Sequence, residues 1–571
     1  MQLALIDAIG PFFKGYDKRR INWSKIPFTH LATQGEARSS QWKAIRKEME
    51  IFADRVSALG YNAVSLDDVA HLSDHPWLEP EIRERNAVFR EEFRILFELL
   101  RIRGIRVYLT ADFLTTSAAV DLHLADSLPR ATEWFAELVA QCLDEFPEIE
   151  GIILRIGESD GIDVEDPLRS RLFLRTAREV NRTLRALLPV FEKRGRRLIF
   201  RTWTVGAHLI GDLIWHRGRL ASALRGIDSA FLIVSMKYGE SDFFRYLSLN
   251  RHFFRVSLPK IIEIQARREY EGAGEYPSFI GWDCEHYSRE LAGAHNVVGF
   301  SIWCQTGGWH AFRRRAFLEP LGVWIELNAA VAAKIFLDRA TVEEAVASFF
   351  GKEDAPAALE LLRLTEVVIR DLLYIEEFAR QKLFFRRVRI PPLLHVYWDN
   401  IFINEPIRKT LTYFVHDPED AIRTGEAAFS HFERMLELVR QLDLPEEDIV
   451  FMRETLALVL LARRYYFLPS DPEIIEKIAH AKQAYKARWP RSLRQRYRIR
   501  VAVEPARFNR RTVTWLLRLL VRRQRGYRQV LDRLLTLNAL SWIYRFFRVR
   551  HREALPKFLR KTAMGVDTLF R

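Results

Sequence analysis

The stretch EIQARREY, residues 263–270, sets two carboxylates, an amide and a phenol where an apolar run, KIIEIQ, ends. That run reads as a buried strand, so Glu263, Gln265, Glu269 and Tyr270 stand at or just past its exit. Other apolar runs exit in the same way. Asp67 and Asp68 follow YNAVSL, Asp112 follows IRVYLT, and Glu158 and Asp160 stand in LRIGESDG. Arg201 and Trp203 close RLIFRTW, Lys237, Tyr238 and Asp242 stand in MKYGESDFF, and Gln305 and Trp309 in WCQTGGW. Converging carboxylates with amides and flat rings suit cleavage of a glycosidic bond. One protonated acid serves the leaving oxygen, a second carboxylate activates water or attacks, and rings receive sugar faces. Asp and Glu at strand ends also cap loops, bind metals and form ion pairs, so the elements that place them decide the meaning.

Eight short β-rich runs recur up to about residue 325, from LALIDAI to VVGFSIW, most of them separated by stretches of helical length. They predict a (β/α)8 TIM barrel, in which chemistry lies at the C-terminal strand ends. SSQWKAIRKEMEIFADRVSALG is one such helix, opened by serine and closed by glycine. The texture then becomes helical. We expect a barrel over 1–325, an α-helical domain over 326–485 and a basic, partly amphipathic helical tail over 486–571.

The 571 residues are 49% hydrophobic and 28% charged, enough for large cores. Cys142, Cys284 and Cys304 form no disulfide or zinc pattern, and His208, His286, His295 and His310 show no metal spacing, so neither a metal nor a cofactor is expected. No secretory signal or bilayer-length apolar run is evident, which predicts a cytoplasmic protein. The net charge of +14 is unevenly held: residues 486–571 carry 24 Lys and Arg against 4 Asp and Glu. Runs such as TWLLRLLVRRQRGYRQ fit an anionic membrane surface, here the inner face, or an acidic polysaccharide. They fit equally a solvated helix covering the helical domain. Nucleic acid fits less well, because no recognised nucleic-acid module accompanies the charge.

The E-x-Q-x-x-x-E-Y arrangement of Glu263, Gln265, Glu269 and Tyr270 resembles the seventh-strand motif of the α-glucuronidases of glycoside hydrolase family 67. KYGESDF, with Lys237, Gly239, Asp242 and Phe243, is similar to that family's segment after strand six, and Phe200 and Arg201 of FRTW to its strand-five signature. YNAVSLDDVAH and QTGG are looser matches, and Asp67 and Asp68 stand where the family prefers asparagines. The resemblance spans about residues 55–310 and, weakly, the helical domain.

The resemblance implies an inverting hydrolase that removes an α-linked uronic acid from an acidic oligosaccharide. Glu158 would be the general acid, helped by burial beside Ile156; its alternative is a surface carboxylate in a turn where Asp160 matters. Asp242 and Glu269 would hold the attacking water; the alternatives are a helix cap for Asp242 and pairing with Arg267 or Arg268 for Glu269. Arg201 and Lys237 would bind the uronate or merely neutralise the site. Asp67, Asp68, Asp160, Glu263, Gln265 and Gln305 would line the pocket, with Trp203, Tyr238, Tyr270 and Trp309 as stacking rings. Another α- or β-linked sugar, or a non-catalytic barrel binding a glycan or membrane through its tail, are the rival readings.

Overall fold

The computed structural model describes residues 1–16, 25–160, 165–204, 210, 212–216, 218–305, 314–381, 383–385, 388–389, 391–397, 400–468, 471, 473–489, 498–503 and 521–523. Eight parallel strands close a barrel: β1 (Leu3–Asp7), β2 (Ala63–Asp67), β3 (Arg106–Asp112), β4 (Ile149–Arg155), β5 (Arg197–Arg201), β6 (Leu232–Lys237), β7 (Lys260–Gln265) and β8 (Val297–Trp303). Each pairs with its sequence neighbours, and β8 closes onto β1. The (β/α)8 expectation holds, with every apolar run that predicted a strand forming one.

The helices Gly35–Ala58, Pro80–Ile102, Leu128–Glu145, Ala177–Arg194 and Gly281–Leu291 lie between strands. The first begins four residues ahead of the serine expected to open it. Ala177–Arg194 has the capping box that satisfies orphan amides at its start, Thr176 bonding the Glu179 amide and Glu179 returning the bond.

Side chains alternate across a strand, so a residue's parity decides whether it points into the barrel. Leu3, Leu5, Ala63, Tyr108, Ile153, Ile199, Ile233 and Ile261 form a separate apolar cluster that fills the lower barrel. Stepping by two from these reaches Ser65, Thr110, Ser235 and Glu263, and then a top ring of Asp7, Asp67, Asp112, Arg155, Arg201, Lys237 and Gln265, to which β8 adds Trp303 at its end. The ring is segregated by charge: three carboxylates on β1–β3, three cations on β4–β6, then an amide and an indole.

From Val323 the chain is mostly helical, including Val323–Asp338, Ala355–Val368, Glu405–Phe414 and Glu446–Phe467. It also contains strands where only helices were expected. Asn400–Asn404 alternates half-buried and buried side chains and pairs in parallel with Arg498–Ala502. Val521–Arg523 pairs with Leu383–Phe385. Two pieces of the basic tail are therefore strands; in Arg498–Ala502 arginines alternate with Ile499 and Val501, the period of a strand rather than a helix. The rest of the tail after Trp489 lies almost entirely outside the described residues. Among the described residues no helix is long and apolar enough to cross a membrane.

Candidate active site

The acidic half of the ring is answered from within the chain. Lys25, in the loop after β1, places its ammonium 2.6 Å from Asp112, 2.9 Å from Asp160 and 2.9 Å from the Ser170 hydroxyl. Arg155 donates to Asp112 at 2.6 Å, and together the two cations overcome the penalty of burial and hold that carboxyl down to about 2. Asp67 accepts the Ile26 amide at 2.7 Å and the Thr110 hydroxyl. Asp160 also accepts the Ser170 amide at 2.6 Å. Asp7 accepts the amides of Cys304 and Gln305, at 2.5 and 2.9 Å, and burial raises it to about 6. Asp68 grips His71 at 2.6 Å, while Asp166 lies 3.2 Å from the other ring nitrogen. Burial works against charging this imidazole, yet the two carboxylates carry it up to about 9, and Phe28 stacks on it at 3.8 Å.

The cationic half is arranged differently. Arg201 donates both arms of its fork to Glu263, at 2.9 and 2.5 Å, and lies over the Trp303 ring at 4.6 Å. Glu263 stands one layer below the ring, also accepts the Ser235 hydroxyl at 3.0 Å, and is 1% exposed. It supports Arg201 from beneath. Lys237 sits between the rings of Trp203 (3.8 Å) and Phe243 (4.1 Å) and pairs with Asp242. Asp242 accepts the Tyr270 hydroxyl at 2.7 Å, which ties the loop after β6 to the loop after β7.

Glu158 and Glu269 stand above this half, and among the described residues neither has a cation within 4 Å. Gly157 lets the Glu158 loop touch the end of β5, since a Cβ there would lie 2.4 Å from the Trp203 carbonyl oxygen. Glu158 is half-buried; desolvation raises its affinity for a proton, with Arg201 and Arg155 pulling the other way. Glu269 is 5% exposed, and burial followed by the neighbouring charge of Asp242 raises it to about 8. Its amide donates to the Gln265 side chain at 3.2 Å. The mouth thus holds Asp242, fixed by a cation, beside Glu269, whose carboxyl is raised to about 8, and Glu158, whose affinity for a proton burial raises, stands three strands from Glu269 around the ring.

The remaining expected residues divide. Tyr238 belongs to the wall: its hydroxyl donates to the Phe244 carbonyl at 2.9 Å and its ring stacks on Tyr287. Tyr270 packs its ring on Phe244 while its hydroxyl faces Asp242. Arg267 and Arg268 pair with Glu275 and Asp283, not with Glu269. The side-chain amide of Gln305 is buried, with no hydrogen-bond partner among the described residues. Trp309, His208 and His310 lie outside the described residues. His286 pairs with Glu290 on a helix surface. Lys25, Arg155, Asp7 and His71 escaped the sequence reading. Arg155 was legible in principle, because it lies two residues beyond inward-pointing Ile153.

No protein family matches this chain by sequence, and no curated protein does. Similar solved structures exist. A GH138 enzyme targeting pectin rhamnogalacturonan II shares 12% identity at a TM-score of 0.49, covering 85% of this chain and 61% of its own. An O-GlcNAc hydrolase variant from Thermobaculum terrenum shares 12% identity at 0.37, covering 90% and 95%. A family 89 glycoside hydrolase from Clostridium perfringens shares 11% at 0.41, covering 84% and 53%. This chain spans less than two thirds of the first and the last.

Proposed function

We propose that the chain is an inverting glycoside hydrolase acting on an α-linked sugar. The observation that carries this reading is the contrast inside one mouth between Asp242, held by Lys237 and Tyr270, and Glu158 and Glu269, which no cation meets within 4 Å among the described residues and whose proton affinity burial raises. Glu158 gives its proton to the leaving oxygen. Asp242 is the base that draws a proton from water, and Glu269, coupled to it, orients that water. Inversion needs an acid and a base about 6.5–9.5 Å apart with water between them; Glu158 comes from the loop after β4 and the water-holding pair from the loops after β6 and β7, so acid and base are carried by separate strands.

The motif resemblance supports an α-linked uronic acid as the sugar, with Lys237 and Arg201 meeting its carboxylate. A neutral α-sugar is the second reading, and the ion pairs favour it: Arg201 is engaged by Glu263 in both arms and Lys237 by Asp242. A uronate would have to draw those cations from buried partners. The test is sugar release by the purified chain from α-glucuronosyl oligosaccharides and from their neutral α-glucosyl counterparts. Release of uronic acid alone supports the first reading and release of neutral sugar the second; release from neither overturns the α-glycosidase assignment.

A further inference from the structure

The loops that carry Asp242 and Glu269 are both anchored to the helical region through one buried carboxylate. Glu271, two residues past Glu269 and 1% exposed, receives Nε and Nη2 of Arg245 at 2.7 and 2.8 Å. Arg245 stands three residues past Asp242, so this fork bridges the two loops. The hydroxyl of Tyr374 donates to the same Glu271 at 2.9 Å, and the remaining arm of Arg245 reaches Glu366.

Tyr374 directly follows a π-turn, Ile369–Leu373, that ends the helix Ala355–Val368. Its carbonyl is held by Arg463 at 2.6 Å, and the same guanidinium takes the carbonyls of Asp371, Leu372 and Ala421 at 2.8, 2.7 and 2.6 Å. Gly425 leaves room for it, since a Cβ there would lie 2.7 Å from Arg463 Nη1. Four carbonyls on one guanidinium tie the backbone that presents Tyr374 to Ala421 and to the helix Glu446–Phe467. Burial opposes charge on Glu271, but Arg245 outweighs it and draws the carboxyl down to about 2.

We propose that Arg245, Glu271 and Tyr374 form a positioning node that sets the separation of Asp242 and Glu269, making the helical region a working part of the barrel's site. The inference rests on the reading of that pair as the water-holding carboxylates. A fork of two parallel hydrogen bonds fixes both distance and direction, and a displacement of about 1 Å at reacting groups costs up to about 100-fold in rate.

The test uses the full chain with Tyr374→Phe, which removes one hydroxyl and keeps the packing, beside Glu271→Gln. The substrate-free readout is a carbon-13 NMR titration of the Asp and Glu carboxyls. The groups facing Glu269 are Asp242, Lys237, Gln265 and Glu158. With the node intact, Glu269 titrates late, split from Asp242 by their interaction. In folded Tyr374→Phe the midpoint of Glu269 shifts by about 1 unit as the pair drifts apart. On a cleaved glycoside kcat falls about 10-fold with KM almost constant. A folded Tyr374→Phe with unmoved midpoint and kcat overturns the node. If Glu271→Gln fails to fold, Tyr374→Phe still decides. A chain that cleaves no glycoside defeats the glycosidase reading, and the titration then decides the node alone.

Discussion

The two halves of the barrel mouth hold similar numbers of carboxylates and put them to different use. On the β1–β3 side, Asp67, Asp112 and Asp160 are met at hydrogen-bond distance by Lys25, Arg155 and backbone amides. In the loops after β4 and β7, Glu158 and Glu269 have a raised affinity for protons, and Asp242, after β6, is tethered beside Glu269. A carboxylate at a strand end is therefore not in itself a sign of chemistry. Burial raises the proton affinity of Asp7 and Asp67 on the first side as well, but their oxygens are taken by backbone amides and the Thr110 hydroxyl, whereas Glu158 and Glu269 have no cation within 4 Å among the described residues and are free to move a proton.

Substitutions should separate the two halves. The largest effect belongs to Glu158→Gln and Glu269→Gln, each expected to lower kcat about 100- to 10,000-fold on a cleaved glycoside with folding intact, read by steady-state kinetics and circular dichroism. Next comes Asp112→Asn, which leaves Lys25 and Arg155 buried beside a neutral amide. Urea unfolding should show a loss of about 3–5 kcal/mol, and comparable stability to the native chain would break the comparison.

Smaller effects follow from pH. His71 is raised from 6.5 to about 9, so the stability it contributes is fully present below pH 6.5 and is lost as pH rises through 9. Thermal unfolding should lose a few kcal/mol across that window, and His71→Gln should flatten the slope. Glu269 has a linkage of the same sign in a lower window, but here the charged form is the one that burial and Asp242 penalise. Its raised carboxyl makes the folded state progressively less stable between pH 4.5 and about 8, so Glu269→Gln should unfold at a higher temperature than the native chain above pH 8 and differ little below pH 4.5.

Much of the barrel was legible because short apolar runs and helical spacers are local signals. Their place at the ends of those runs identified Arg201, Lys237 and Gln265 as mouth residues. What escaped was pairing across long separations. Nothing in NWSKIP marks Lys25 as the partner of Asp112 and Asp160, 87 and 135 positions away. Nor does EY at 269–270 announce that the next residue, Glu271, bonds Tyr374. Such contacts exist only once the barrel has closed and the helical region has docked. The short strands after residue 380 were missed for a related reason: Asn400–Asn404 has only the two-residue Val396–Tyr397 as a local partner, and its long partner, Arg498–Ala502, lies nearly a hundred residues on.

The comparison stands or falls most directly on stereochemistry. Proton NMR of a cleaved α-glycoside, recorded from the first minutes of reaction, reports the anomer released before it equilibrates in water. The β-anomer appearing first is the result expected of Asp242 and Glu269 delivering water across the mouth from Glu158. The α-anomer appearing first would mean that one of these carboxylates attacks the sugar itself, and the assignment of a shared water to the pair would be wrong.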